Sequence, residues 1–145
     1  MGREVTFRVF RGEPDEDGVP NGELVDYTVE MDEGMVVLDV IHKIQAESAP
    51  DLSCRWNCKA GKCGSCSAEV NGKARLMCMT RMADIEEETP EGEPVLIKPM
   101  QAFPRIKDLI ADVSWAYELN KTIPPLTGPE EKDWVFSQEE ADRVQ

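Results

Sequence analysis

The chain has 145 residues, a net charge of −13 and a hydrophobic fraction of 41%, which suits one domain or one domain with part of a second. So acidic a balance speaks against nucleic acid as a partner, because phosphate binding needs a cationic face. The longest apolar run, Met35 to Leu38, is far short of a membrane span, and no apolar stretch follows the N-terminus, so neither a span nor a secretory signal is expected.

Val5-Thr6-Phe7-Arg8-Val9-Phe10 alternates apolar and polar side chains, the period of a half-buried strand. That strand reading weighs against lipidation at Met1-Gly2-Arg3-Glu4-Val5-Thr6, which has the spacing of a myristoylation site. Gly12 to Gly22 reads as a polar turn, and Leu24 to Val29 completes an opening hairpin. Val37, Ile41, Ile44 and Ser48 recur at helical spacing, so a helix is predicted over Val37–Glu47, stopped by Pro50 and without a good capping residue at its start. A cysteine-rich loop runs from Ser53 to Cys66. A strand at Ser67–Val70, an Asn71-Gly72 turn, a return strand towards Met77 and a last strand at Val95–Lys98 follow. Together these make a small α+β unit, assigned to residues 1–104.

Residues 105–145 read differently. Ile106, Leu109, Ile110, Val113 and Tyr117 form an apolar stripe that predicts a helix ended by Pro124 and Pro125. Ser137-Gln138-Glu139-Glu140 has the form of a capping box with about two turns of chain after it. This segment is expected to be the first part of an all-helical domain that continues further.

All five cysteines lie between Cys54 and Cys78. A disulfide framework would be even-numbered and dispersed, so the cluster points to metal in a reducing compartment. Cys58, Cys63 and Cys66 have the C-x4-C-x2-C spacing of a plant-type 2Fe–2S site, with Cys78 as fourth ligand from the neighbouring hairpin. The core needs four thiolates and a loop whose amides face the sulfurs. Gly61 and Gly64 permit that backbone, and Ser65 is placed to donate a further hydrogen bond to sulfur. Zinc accepts four cysteines but favours two close pairs, whereas Cys78 stands alone. Cys63-Gly-Ser-Cys66 also has the form of a dithiol redox pair, which would leave Cys58 and Cys78 idle. A Rieske centre is excluded, since His42 is the single histidine. Cys54 reads as a buried bystander, His42 as a solvated residue on the outer helix face, and Trp56 as packing that shields the loop.

Cys58-Lys-Ala-Gly-Lys-Cys-Gly-Ser-Cys66, Asn71-Gly72 and Leu76-Met-Cys78 resemble the N-terminal cluster motif of succinate dehydrogenase and fumarate reductase iron–sulfur subunits. Ile97-Lys-Pro99 and Phe103-Pro-Arg-Ile-Lys-Asp-Leu-Ile-Ala-Asp112 resemble the stretch joining the two domains of those subunits. Lys59 stands where arginine is usual, Met77 where alanine is usual, and Cys54 is extra. The resemblance implies a β-grasp, 2Fe–2S ferredoxin-like domain followed by the start of the helical domain. It further implies FAD on a partner flavoprotein subunit, 4Fe–4S and 3Fe–4S clusters in the helical part, membrane anchor subunits, quinone as acceptor, and a peripheral position on the cytoplasmic side of a membrane. Electron transfer of this kind calls for no acid, base or nucleophile on the chain. A free-standing 2Fe–2S ferredoxin-like carrier for another oxidoreductase is the alternative, against which the Phe103–Asp112 block weighs. Around the loop, six cations (Arg55, Lys59, Lys62, Lys73, Arg75 and Arg81) face the single acid Glu69, a basic island expected to raise the reduction potential.

Overall fold

The computed structural model describes residues 2–19 and 21–125. Strands β1 (Arg3–Arg11) and β2 (Glu23–Met31) pair antiparallel from Arg3↔Met31 to Arg11↔Glu23, a longer hairpin than the alternation alone implies. Phe7, Val9, Val29 and Met31 point into the core. On the other face Arg8 grips Asp26 through two hydrogen bonds of 2.7 and 2.8 Å, and the Thr6 and Thr28 hydroxyls meet at 3.3 Å.

Helix α1 (Val37–Glu47) buries Val37, Leu38, Val40, Ile41 and Ile44. Its start needs no polar capping residue. The Asp39 carboxylate accepts from the Val36 amide at 3.1 Å, while Val37 and Leu38 donate to the carbonyls of Thr80 and Met77 at 2.9 and 3.1 Å. Strands β3 (Ser67–Val70) and β4 (Lys73–Leu76) are joined by Asn71 and Gly72 at φ of 49° and 77°, both left-handed as a tight hairpin turn requires. Helix α2 (Met82–Glu88) is not announced by the sequence pattern. It is short, and its Met82 and Ile85 close one end of the core.

Strand β5 (Val95–Lys98) lies between β1, which it pairs in parallel, and β3, giving the order β2-β1-β5-β3-β4. Side chains of α1 share one core with Phe7, Val9, Val70 and Ile97. This mixed sheet with its helices is the expected α+β, ferredoxin-like architecture.

The helix predicted over Ile106–Tyr117 does not form as such. Residues 105–111 make two short antiparallel strands, β6 (Arg105–Lys107) and β7 (Ile110–Ala111), and helix α3 begins only at Ser114 (Ser114–Lys121). Asp108 is the physical reason. It turns the chain at φ 48°, incompatible with a right-handed helix, and its carboxylate is buried against other segments. By internal contacts the chain divides into Met1–Val113 and Ser114–Gln145. In the second unit α3 buries none of its residues. The capping-box motif at Ser137–Glu140 lies outside the described residues.

Candidate metal centre

The stretch between Leu52 and Ser67 forms neither helix nor strand, yet it is ordered by hydrogen bonds to sulfur. The amides of Ala60, Lys62 and Cys63 all donate to Cys58 Sγ, at 3.4, 3.3 and 3.4 Å. The Ser65 amide donates to Cys63 Sγ and the Cys78 amide to Cys66 Sγ, each at 3.5 Å. Three residues bend the loop with positive φ: Lys59 at 51°, Gly61 at 66° and Gly64 at 73°. A side chain on Gly61 would also come within 2.9 Å of Met79 Cγ, whereas Gly64 opens on free space and is required for its backbone alone.

Backbone amides link the cysteines two by two, that of Cys63 donating to Cys58 Sγ and that of Cys78 to Cys66 Sγ. Hydrogen bonds from the Ser65 side chain, then from the Cys58 and Ser65 backbone, bring the Cys63 thiol down to about 6. Burial pushes the Cys66 thiol up. The pairs differ in access: Cys66 and Cys78 are buried, Cys58 is half-buried and Cys63 is exposed. Cys54 packs against the core, and burial, followed by the nearby Cys66, pushes its thiol up to about 12.

Three anchors hold this loop. The carbonyls on either side of Cys78, those of Met77 and Thr80, are bound by the first turn of α1. At the loop's entry the Asp108 carboxylate, 2% exposed, accepts from the amides of Ser53 and Gly12 at 2.8 Å each and lies 3.2 Å from Arg11 Nε. That last contact is an ion pair too poorly aligned to be a hydrogen bond. Burial opposes the Arg11 charge, but the hydrogen bond to Tyr27, the charge of Asp108 and the hydrogen bond to Asp51 outweigh it and raise its pKa. The third anchor corrects the expectation of a solvated His42. Its ring is half-buried, with Nε2 fully covered, edge-on to Trp56 at 5.0 Å, and Nδ1 lies 3.5 Å from the Lys59 ammonium. The outer face of α1 is polar in sequence, but the cysteine loop folds back over it. Trp56 itself stays 48% exposed, with Lys59 Nζ 4.6 Å above its ring, so it carries the lysine rather than sealing the loop.

The profile of the family described as a 2Fe-2S iron-sulfur cluster binding domain matches residues 6–118. The chain belongs to this family. The fumarate reductase iron-sulfur subunit of Wolinella succinogenes is 31% identical over 143 residues, 98% of this chain and 54% of its own length. The succinate dehydrogenase [ubiquinone] iron-sulfur subunit 3, mitochondrial, of Arabidopsis thaliana is 34% identical over 122 residues, covering 82% of this chain and 37% of its own. Among solved structures, a chain of the "Mycobacterium smegmatis Sdh1 complex in the apo form" matches with a TM-score of 0.80 at 47% identity, over 99% of this chain and 57% of that one. A hypothetical protein from Helicobacter pylori, 16% identical with a TM-score of 0.53, shares the fold alone. The chain spans about half the length of the relatives it matches.

Within this 2Fe–2S domain the basic island is smaller than the sequence implies. Lys73 and Arg75 both reach Glu88, an acid supplied by the unforeseen α2. Lys59 is occupied by Trp56 and His42. Arg55, Lys62 and Arg81 are exposed and form no ion pair among the described residues.

Proposed function

We propose that this chain is the electron-transfer iron–sulfur subunit of a succinate:quinone oxidoreductase, a succinate dehydrogenase or fumarate reductase, with a 2Fe–2S cluster held by Cys58, Cys63, Cys66 and Cys78. The observation that carries the reading is a loop whose amides face the sulfurs of Cys58, Cys63 and Cys66 and tie the four cysteines together two by two. A binuclear core takes two thiolates on each iron, whereas a single zinc needs its donors around one point. Bound by these cysteines, the cluster supplies reversible one-electron transfer.

The chain's own residues do the rest. The amides of Ala60, Lys62, Cys63, Ser65 and Cys78 offset negative charge on the thiolate sulfurs, favouring the form that binds metal. Gly61 and Gly64 let the backbone approach closely, and the Ser65 side chain lowers the Cys63 pKa. Buried Cys66 and Cys78 exclude water from one side, leaving the Cys58 and Cys63 side as the route by which electrons arrive or leave. Cys54 stays a thiol outside the ligand set.

The relatives are named as iron-sulfur subunits of succinate dehydrogenase or fumarate reductase, and we infer a wider setting from the resemblance of the cluster motif to that family. FAD sits on a flavoprotein partner, and 4Fe–4S and 3Fe–4S clusters in a helical domain lie beyond this 2Fe–2S part. Anchor subunits hold the assembly on the cytoplasmic side of a membrane, where electrons are exchanged with quinone. No described helix is long and apolar enough to cross a membrane by itself. The chemistry on this chain needs no acid, base or nucleophile.

The test is purification together with whatever co-purifies, followed by assay of iron, acid-labile sulfide, flavin and succinate-dependent dye reduction. Each of the four cysteine-to-alanine variants should lose or alter the visible and paramagnetic signals, while Cys54→Ala keeps them. Bleaching by Cys54→Ala with an intact Cys58→Ala would refute the ligand set. Cluster without associated flavin or succinate activity would refute the assignment to a succinate:quinone oxidoreductase.

A further inference from the structure

Lys59 is the non-glycine residue at the apex of the cysteine loop, and its φ of 51° is a conformation that L side chains adopt at a cost. Such a turn persists where its surroundings hold it. The turn at Lys59 sets the direction of the next amides, those of Ala60, Lys62 and Cys63, and these are the three that converge on Cys58 Sγ. The side chain of Lys59 leaves the loop and is caught twice, above the Trp56 ring at 4.6 Å and beside His42 Nδ1 at 3.5 Å. His42 and Trp56 brace one another edge to face, at 5.0 Å and 63°.

His42 is a firm support. It projects from α1, where its neighbour Ile41 and the next-turn Ile44 are fully buried in the core. A lysine ammonium has donors only, so Nδ1 is the acceptor and the ring hydrogen sits on Nε2. That Nε2 is buried with no partner among the described residues. A buried, unpaired N–H is a cost that simple packing would avoid. Burial first, then the Lys59 charge, lower the His42 pKa, in keeping with a neutral acceptor ring.

We infer that His42 is a positioning residue for the cluster loop: with Trp56 it anchors the Lys59 ammonium and so holds the left-handed turn that aims three amides at the Cys58 sulfur. The inference rests on the reading of this loop as a cluster site and assigns His42 a task within it, without contact to the metal.

The experiment uses the full chain in its cluster-loaded form. Cluster loss to an excess of chelator is followed by visible absorbance, beside the paramagnetic spectrum of the reduced protein and the thermal midpoint. His42→Ala should shed its cluster several-fold faster and change the spectrum, while His42→Gln, whose amide oxygen can accept from the ammonium, recovers much of the loss. The decisive comparison uses Lys59→Gly as background, since glycine takes the turn without strain. There, His42→Ala should add nothing to the rate of cluster loss, because the turn no longer depends on an anchored ammonium. Equal acceleration in both backgrounds, or cluster loss from His42→Ala at the wild-type rate, overturns the proposal. Should His42→Ala fail to fold, Trp56→Leu in the two Lys59 backgrounds makes the same comparison with the same two outcomes. Wild-type protein that binds neither iron nor sulfide would instead refute the reading of the site itself.

Discussion

Replacing Asp108 by asparagine isolates a buried charge from the backbone that carries it. Asparagine tolerates the φ of 48° found there, so the turn itself is not at stake. The wild-type carboxylate accepts from the Gly12 and Ser53 amides at 2.8 Å each, one to each oxygen, and neutralises a guanidinium that is only 16% exposed. Asparagine leaves one acceptor and sets an NH2 group against the other amide donor. One charge-assisted hydrogen bond is worth about 1.5–3 kcal/mol, and the donor left facing it loses its partner. Arg11 keeps Tyr27 and Asp51, so its share of the loss stays small, of order 1 kcal/mol. The sum is about 3 kcal/mol, a large part of the 5–15 kcal/mol that typically separates folded from unfolded states. Urea unfolding of the metal-free chain, followed by tryptophan fluorescence, reads this as a lower midpoint at unchanged slope. Asp108→Ala should cost about 2 kcal/mol more, because alanine also loses the remaining acceptor and is strained in the left-handed region. A loss below about 1 kcal/mol for Asp108→Asn would show that water replaces the carboxylate freely and that Asp108 does not clamp the loop entry.

Lys62→Gln should lower the reduction potential, from a starting value above the roughly −400 mV of plant-type centres. Arg75→Gln should change it less, because Glu88 already offsets that cation. Redox titration at two salt concentrations checks both, and equal shifts for the two variants would show that ion pairing does not govern this cluster's poise. Gly61→Ala combines a strained φ of 66° with a 2.9 Å approach to Met79, so iron content after reconstitution should fall sharply. Adding Met79→Ala should relieve only the approach, and full recovery would place the whole cost in that contact. In acid, hydrogen bonds from Arg8, Arg11 and Arg75 hold the Asp26, Asp51 and Glu88 carboxylates below their ordinary values. Their contribution is therefore present above the unfolded-state values near about 4 and is lost as pH falls through the folded ones. Denaturation curves between neutral pH and pH about 3 should show stability declining with acidity. An Arg8→Gln variant should decline less, and an identical decline would remove Asp26 from this account.

Much of the architecture is legible in the sequence because the core elements have clean periods. The alternation through Phe7 and Val9 and the helical spacing of Val37, Ile41 and Ile44 each report one buried face. Asn71-Gly72 and the cysteine spacing are local signals that tertiary structure does not override. Helix α2 leaves little trace because a single pair of apolar residues, Met82 and Ile85, anchors its seven residues. The stripe at Ile106–Tyr117 misleads for the opposite reason. Its spacing satisfies a helical period, yet one buried acid bonded to residues distant in sequence turns the chain instead. The burial of His42 is hidden because helical periodicity identifies the core face but says nothing of a loop folding over the other face. Counting cations around the loop likewise misses Glu88, which reaches Lys73 and Arg75 only through the fold.

Asp108 also bears on the order in which the protein can be assembled. The cysteines leave the ribosome before the strand that occupies the middle of the sheet, β5, and before the carboxylate that fastens Ser53 to Gly12. A chain interrupted at Cys78 has every thiol of the site, but β1 and β3 still lack the partner that lies between them, and the loop entry is unfastened. In that interval the thiols are exposed to oxidation and to whatever metal arrives first. The scaffold that favours a particular centre is complete only after Asp108 emerges, so this fold places faithful loading after synthesis of the domain rather than during it.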